Sequence, residues 1–301
     1  MDNVVVLYGS TGRIGSSILN QLAEFSIRIE TPSKDTALMA AVNPLDKVNK
    51  LVLIYAIPHR AMAERLLELE SHREILGSHA TTVIVIDCSG HVKLNIPDYW
   101  HILQNLPWKN YRETHKGPLY YIGNPGCMAS AVIQGIRASN LCWKGTNISV
   151  TAIGGKSFAP PSRNECNTLR TAKRWTSHHH VREIEQVFHE EQIHVSSFVP
   201  VISSALDNGL LVVVSGQIKR TEFNIIARAS ECVNATRGTV QVVTDGSEVS
   251  LSDVVGTSVL KMRSDTSENA DTIDVTVAVG LDNVEYIAYL AVSTVLIVTA
   301  N

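Results

Sequence analysis

The stretch that most limits the possible folds lies at the amino end. Val4-Val5-Val6-Leu7-Tyr8 runs straight into Gly9-Ser10-Thr11-Gly12-Arg13-Ile14-Gly15, and a helical pattern then extends from Ile14 to Phe25. Buried strand, glycine turn and helix in that order predict a parallel sheet built from strand–helix–strand units. The glycines permit a sharp turn and close backbone approach, and the helix start attracts a pyrophosphate. Every loop residue from Gly9 to Gly15 is therefore a candidate dinucleotide contact. The second strand ends at Ile29-Glu30, followed by Thr31-Pro32-Ser33-Lys34. Glu30 suits the ribose hydroxyls of NAD, whereas Ser33 and Lys34, helped by Arg13, suit the 2′-phosphate of NADP. The balance is read as NADP, with NAD as the alternative.

The same alternation continues. Apolar runs at 26–30, 51–56, 82–87 and 119–122 read as strands buried on both faces, with a helical pattern over 60–74. The character changes after Cys127. A helix is predicted over 128–139, followed by β-type runs at 147–153, 195–201, 210–217, 239–244 and 272–279. The expectation is an α/β chain: a Rossmann-type domain over 1–126 plus 282–301, and an α+β catalytic and oligomerisation domain with a mixed or antiparallel sheet over 127–281.

Bulk properties narrow the function. A formal net charge of −3 offers nothing to nucleic acid or to an anionic membrane surface. The apolar stretch Tyr286–Ala300 is short for a membrane span and reads as a buried helix or strand. The five cysteines form no CxxC pair and no metal spacing, which fits a reducing, cytoplasmic setting and no structural metal.

One cysteine stands apart. Asn124-Pro125-Gly126 is a turn signal, and Met128-Ala129-Ser130-Ala131-Val132-Ile133 begins a helix. Cys127 then falls in a first helical turn, where the macrodipole favours a thiolate and free N–H groups stabilise an oxyanion. The pattern suits a covalent nucleophile acting on an acyl group.

These segments together resemble the N-acetyl-γ-glutamyl-phosphate reductase family, within the aspartate-semialdehyde dehydrogenase superfamily. The glycine loop, Ala56-Ile57-Pro58-His59, Ile86-Asp87-Cys88-Ser89, Asn124-Pro125-Gly126-Cys127, His178-His179-His180-Val181-Arg182-Glu183-Ile184, Phe198-Val199-Pro200 and Asp282-Asn283 follow the family order over nearly the whole chain. The resemblance implies NADPH-dependent reduction of an amino-acyl phosphate to a semialdehyde through a thioester on Cys127. It also implies a dimer or tetramer, cofactor contacts at Pro58, Ser89 and Asn283, and a substrate contact at Asn124. His178, or else His180, would be the acid/base, and Glu183 would orient it. His179 is read as peripheral, because consecutive side chains do not share a helix face and cannot by themselves make a three-ligand metal site. Gly155-Lys156 resembles the family's anion-binding loop, and Lys173 and Arg174 are further anion donors.

Several family features are missing. Val201 follows Phe198-Val199-Pro200 where the family has histidine, Asn208-Gly209 replaces an Arg-Gly pair, and Gly90-His91-Val92-Lys93 replaces an Asp-Phe-Arg ending. The segment after Asn283 is bulkier than the family's glycine- and alanine-rich one. These departures point to a substrate other than N-acetylglutamyl phosphate, including a carrier-bound acyl phosphate. Two alternatives stay open: a cysteine-dependent reductase of a carrier- or CoA-bound thioester, and a non-catalytic nucleotide-binding paralogue.

Overall fold

In the computed structural model of the chain, the early apolar runs form a single parallel sheet. The structure describes residues 3–33, 35–45, 47–96, 98–104, 107–115, 117–139, 141–158, 169–171, 178–219, 240–245, 247–269 and 271–300. Two units emerge: Met1–Gly126 with Ile287–Asn301, and Cys127–Tyr286.

The first unit contains, in chain order, β1 (Asn3–Tyr8), α1 (Arg13–Leu22), β2 (Arg28–Glu30), α2 (Leu38–Val42), β3 (Val48–Tyr55), α3 (His59–Ser71), α4 (Arg73–His79), β4 (Ala80–Asp87), α5 (His91–Asn95), β5 (Trp100–His101), α6 (Trp108–Thr114) and β6 (Leu119–Gly123). The strands pair in parallel in the order β2-β1-β3-β4-β6-β5. The order reverses between β1 and β3, and the carboxyl ends of those strands frame the crevice where such sheets bind ligands.

Strand side chains alternate between two cores. Val4, Val6, Leu51, Leu53, Val83 and Val85 pack with Met62, Leu66 and Leu69 of α3. Val5, Leu7, Val52, Ile54, Ile84 and Ile86 pack with Ile18 and Leu22 of α1 on the other face. Each fully buried aliphatic side chain contributes about 1.5–3 kcal/mol, so covering both faces is the main source of this unit's stability. The single helix expected over 60–74 is interrupted at His72, whose φ of −110° and ψ of 11° leave the helical region. The cause is local: Ser71 Oγ donates to the Glu68 carbonyl at 2.8 Å, and His72 Nδ1 lies 2.8 Å from the same oxygen.

The second unit holds α7 (Cys127–Ala138), β7 (Asn147–Gly154), β8 (Leu169–Thr171), α8 (His179–Val187), β9 (His194–Ser203), β10 (Leu210–Lys219), β11 (Val240–Val242), β12 (Leu260–Glu268) and β13 (Thr272–Leu281). Its mixed sheet runs β11-β12-β13-β10-β7-β9-β8. Only β11/β12 and β7/β9 are parallel. One layer of helix covers it. A Cβ on Gly135 of α7 would lie 2.6 Å from Val279, so the missing side chain is what lets α7 sit close to β13.

The carboxyl-terminal apolar stretch is helical, α9 (Glu285–Ala300). From Ile287 onward it belongs to the first unit, where Ala288, Ala291, Val292, Val295 and Val298 join the α1-side core. Lys50 of β3 donates to the Val298 carbonyl at 2.9 Å and so satisfies the end of this helix. Among the described residues no helix is long and apolar enough to cross a membrane.

Candidate functional site

Backbone crowding fixes two of the three glycines at the β1–α1 junction. Gly9 has φ +81°, and a Cβ there would overlap the Ala56 carbonyl oxygen. A Cβ on Gly15 would overlap the Gly9 carbonyl. Those two glycines are demanded by the fold itself. Gly12 differs: its φ of −76° suits any residue, and a Cβ would meet nothing closer than the Gly9 oxygen, at 3.3 Å. Its bareness keeps the approach to α1 clear. No side chain caps α1 and no carboxylate stands in its first turn, so the helix start is fitted to an anion.

A cleft of about 470 Å³ adjoins this loop's neighbour, the turn after β3. It is lined by Asp35, Ala37, Ile57, Pro58, Ala61, Glu64, Arg65 and Glu68. Arg65 is ion-paired with Glu68 and lies over the Tyr8 ring. Ser33 Oγ is 2.9 Å from Thr36 Oγ1. Lys34 lies outside the described residues.

Past β4, the buried Asp87 organises the next turn. Its two oxygens accept from the backbone N–H groups of Ser89 and Val92 at 2.7 and 2.8 Å. Ser89 Oγ accepts from His91 N at 3.2 Å. Asn124, expected to touch substrate, is 1% exposed and its amide donates to the Ile287 carbonyl at 3.2 Å. That bond fastens the end of β6 to α9. Lys93 Nζ donates to the Asn124 carbonyl at 2.7 Å.

Cys127 is the first residue of the twelve-residue helix α7 and is half-buried. None of the three described cysteines is in a disulfide. Burial, with Asp87 adding to it, pushes the Cys88 thiol up to about 12. Cys166 and Cys232 lie outside the described residues.

In the same unit α8 packs on α7 and on β9. His178 caps α8, its Nδ1 accepting from His180 N at 3.4 Å. Its extended backbone turns the ring back over the first helical turn. The three imidazoles therefore gather after all, with their nearest ligand atoms within 4.8 Å of one another. The His178 and His179 rings are stacked, 22° apart, so their in-plane lone pairs do not converge as a metal requires. Phe198 of β9 stacks on His178 at 5.1 Å. Burial lowers the His178 pKa below 6.5 and favours the neutral ring. His180 and Glu183 are buried one turn apart on α8.

Two further expected site segments are engaged in the protein's own hydrogen bonds. Gly155-Lys156-Ser157 is not an open cradle. Its N–H groups donate to the carbonyls of Gly209, Leu206 and Asp207 at 3.1, 2.7 and 3.0 Å, and Lys156 Nζ donates to Asp207 at 2.9 Å. Asn283, expected at the cofactor, accepts from Ser157 Oγ and Gly209 N at 3.1 and 3.0 Å and ties these loops together. Its neighbour Asp282 accepts from Val284 N and Glu285 N at the start of α9. Lys173 and Arg174 lie outside the described residues. Sequence reasoning also passed over a contact between His59 and His91, whose ring nitrogens are 3.3 Å apart. Their shared position just after adjacent strands was the available signal.

Known proteins share the family and the fold. The family model described as semialdehyde dehydrogenase, dimerisation domain, matches residues 127–283. Among solved structures, aspartate semialdehyde dehydrogenase II from Vibrio cholerae, complexed with ASA, superposes with TM-score 0.70 at 14% identity, covering 100% of this chain and 99% of that one. A probable aspartate-semialdehyde dehydrogenase from Pseudomonas aeruginosa gives 0.66 at 15% identity, with 98% of each chain covered. No curated protein sequence matches the chain.

Proposed function

We propose that this chain, which belongs to the semialdehyde dehydrogenase family, reduces an acyl phosphate to an aldehyde through a thioester on Cys127. The observation that carries the reading is the position of Cys127 at the first residue of α7, beside the histidine-bearing helix α8 in the family-matched unit. The substrate closest to the motif pattern is an amino-acyl phosphate of the N-acetylglutamyl type.

In this reading His178, or His180 behind it, takes the thiol proton, and Glu183 holds the acid/base ring in place. The sulfur attacks the acyl carbon while the carbon–oxygen bond to phosphate breaks, and phosphate leaves with the electron pair. N–H groups of the first turn of α7 stabilise the oxyanion. Gly9 to Gly15, Pro58 and Ser89 would hold a dinucleotide, whose reduced nicotinamide would supply the hydride that the thioester needs. Breaking of the carbon–sulfur bond then returns the thiolate and releases the aldehyde. NADP is the form that Arg13, Ser33 and Lys34 suit. A homo-oligomer follows from the dimerisation-domain match.

The thioester alternative has one observation in its favour: the loop expected to bind phosphate has its N–H groups engaged within the protein. The test runs the reaction in reverse. Candidate semialdehydes are supplied with NADP or NAD and either phosphate or CoA, and reduced nicotinamide is followed by absorbance. Phosphate-dependent turnover is expected, falling by roughly 10⁴-fold or more in Cys127→Ser. CoA-dependent turnover establishes the alternative. A Cys127→Ser variant as active as the parent overturns both.

A further inference from the structure

We propose that His59 and His91 act as one proton-sharing imidazole pair that binds a phosphate oxyanion at the carboxyl edge of the parallel sheet. The two residues sit immediately past neighbouring strands. Tyr55, the last residue of β3, is in register with Asp87, the last residue of β4. Three residues separate Tyr55 from His59, and three separate Asp87 from His91. Each imidazole is thus the first residue of its helix, at the end of the sheet where ligands of doubly wound folds bind.

The contact itself carries the argument. His59 Nε2 and His91 Nδ1 face one another at 3.3 Å, with ring centroids 4.6 Å apart and planes tilted by 51°. Two nitrogens at that distance hold one proton comfortably between them. A second proton would set two cations side by side, and burial together with the His59 charge already lowers the His91 pKa. A pair that takes up one proton beyond its neutral form is a single cation whose outer ring nitrogens both donate, the complement of a phosphate oxygen.

The surroundings favour an anion over a metal ion. Lys93 on α5 is turned to the Asn124 carbonyl. The one carboxylate that acts on His91 is Asp87, and both of its oxygens accept from backbone N–H groups. It holds the turn and is not placed to ligate a cation. His59 is exposed and His91 half-buried, so the pair is open to a ligand.

The phosphate could be the pyrophosphate of a dinucleotide or the phosphoryl group of substrate. Only that choice of source rests on the proposed function. The test follows the imidazole C–H resonances of the full chain by NMR, assigned with His59→Asn and His91→Asn, during titration with inorganic phosphate and, separately, with NADH and with NADPH. Chloride at matched ionic strength is the control. The expected result is that phosphate moves both resonances together, raises their apparent pKa and binds roughly tenfold more weakly in either variant. Binding should also weaken as pH rises and the pair loses its proton. NADH or NADPH that displaces phosphate identifies the dinucleotide as the source; phosphate still bound beside either bound dinucleotide identifies the substrate. Phosphate binding without any NADH or NADPH binding sinks the dinucleotide reading but supports the pair. Chloride-like shifts, or unchanged phosphate affinity in both variants, overturn the proposal. Each variant's thermal unfolding midpoint, expected to match the parent's, shows that these surface changes leave the fold intact.

Discussion

The two sheets use strands of similar length for opposite purposes. In β3 and β4 nearly every residue is buried, because helices cover both faces. In β7 and β13 burial alternates residue by residue, because α7 covers one face and the other stays partly open. Strand length is not what separates them; the number of covered faces is. That difference decides where each unit tolerates change, and where its chemistry is placed. The doubly covered sheet confines function to its carboxyl edge, whereas the second unit offers a helix start and a polar sheet face.

Backbone crowding is the largest expected contrast. A side chain at Gly15 would have to displace the Gly9 backbone, while a Cβ added to Gly145, at φ +70°, would meet nothing within 4 Å. Gly15→Ala should cost about 3–5 kcal/mol and abolish dinucleotide binding, and Gly145→Ala about 1–2 kcal/mol from its left-handed backbone alone. Urea unfolding with NADPH fluorescence titration checks both. Equal costs would mean that the glycine loop relaxes more freely than its packing suggests.

The next contrast tests covering directly. Val52 is fully buried, whereas Val213 in β10 lies on the half-open face. Val52→Ala should destabilise by about 2–3 kcal/mol and Val213→Ala by less than about 1 kcal/mol. Similar losses would show that something covers the open face in solution, and a concentration-dependent unfolding midpoint would then identify that cover as a second copy of the chain.

The same asymmetry explains what was readable in the sequence. Doubly buried strands announce themselves as unbroken runs such as Leu51–Tyr55, and their parallel order follows from the alternation with helices. β5 is two residues long and has no period to read. β12 hides because only Leu260 and Met262 of its nine residues are buried. At the site, Asn124-Pro125-Gly126 marks the start of α7 locally. The hydrogen bonding of the Gly155–Ser157 loop was not legible, because the carbonyls that accept from its N–H groups belong to residues 206–209, about fifty positions away. Partners that distant in the chain leave no local trace. The gathering of His178, His179 and His180 was likewise hidden, since it depends on His178 adopting an extended cap and not a helical one.

Protonation offers a smaller handle on the second unit. Burial lowers the His178 pKa and so favours its neutral form in the folded chain. The unfolded chain takes up its proton first as pH falls through 6.5. Stability from the neutral ring is therefore complete above that value and is lost as pH drops through the lower native pKa. His178→Asn keeps a capping side chain on α8 and removes the titration. It should flatten the decline in unfolding free energy between pH 7 and pH 5. A decline as steep as the parent's would assign the acid sensitivity to other groups.

The smallest expected effect bears on how the second unit treats anions. Lys156 and Asp207 pair at 2.9 Å with side chains 40% and 86% exposed. Such a pair is screened by water and contributes between 0 and about 1 kcal/mol. The hydrogen bonds that fix this loop are those from its backbone and from Asn283, which Lys156 does not make. Lys156→Met should then change stability by less than about 1 kcal/mol and leave the apparent KM for phosphate in the reverse reaction within about threefold. Asn283→Ala removes two buried hydrogen bonds and should cost about 2–3 kcal/mol. A large rise in the KM for phosphate in Lys156→Met, with kcat unchanged, would mean that the ammonium leaves Asp207 for the substrate. The loop would then be an anion site that the carboxylate merely occupies between turnovers.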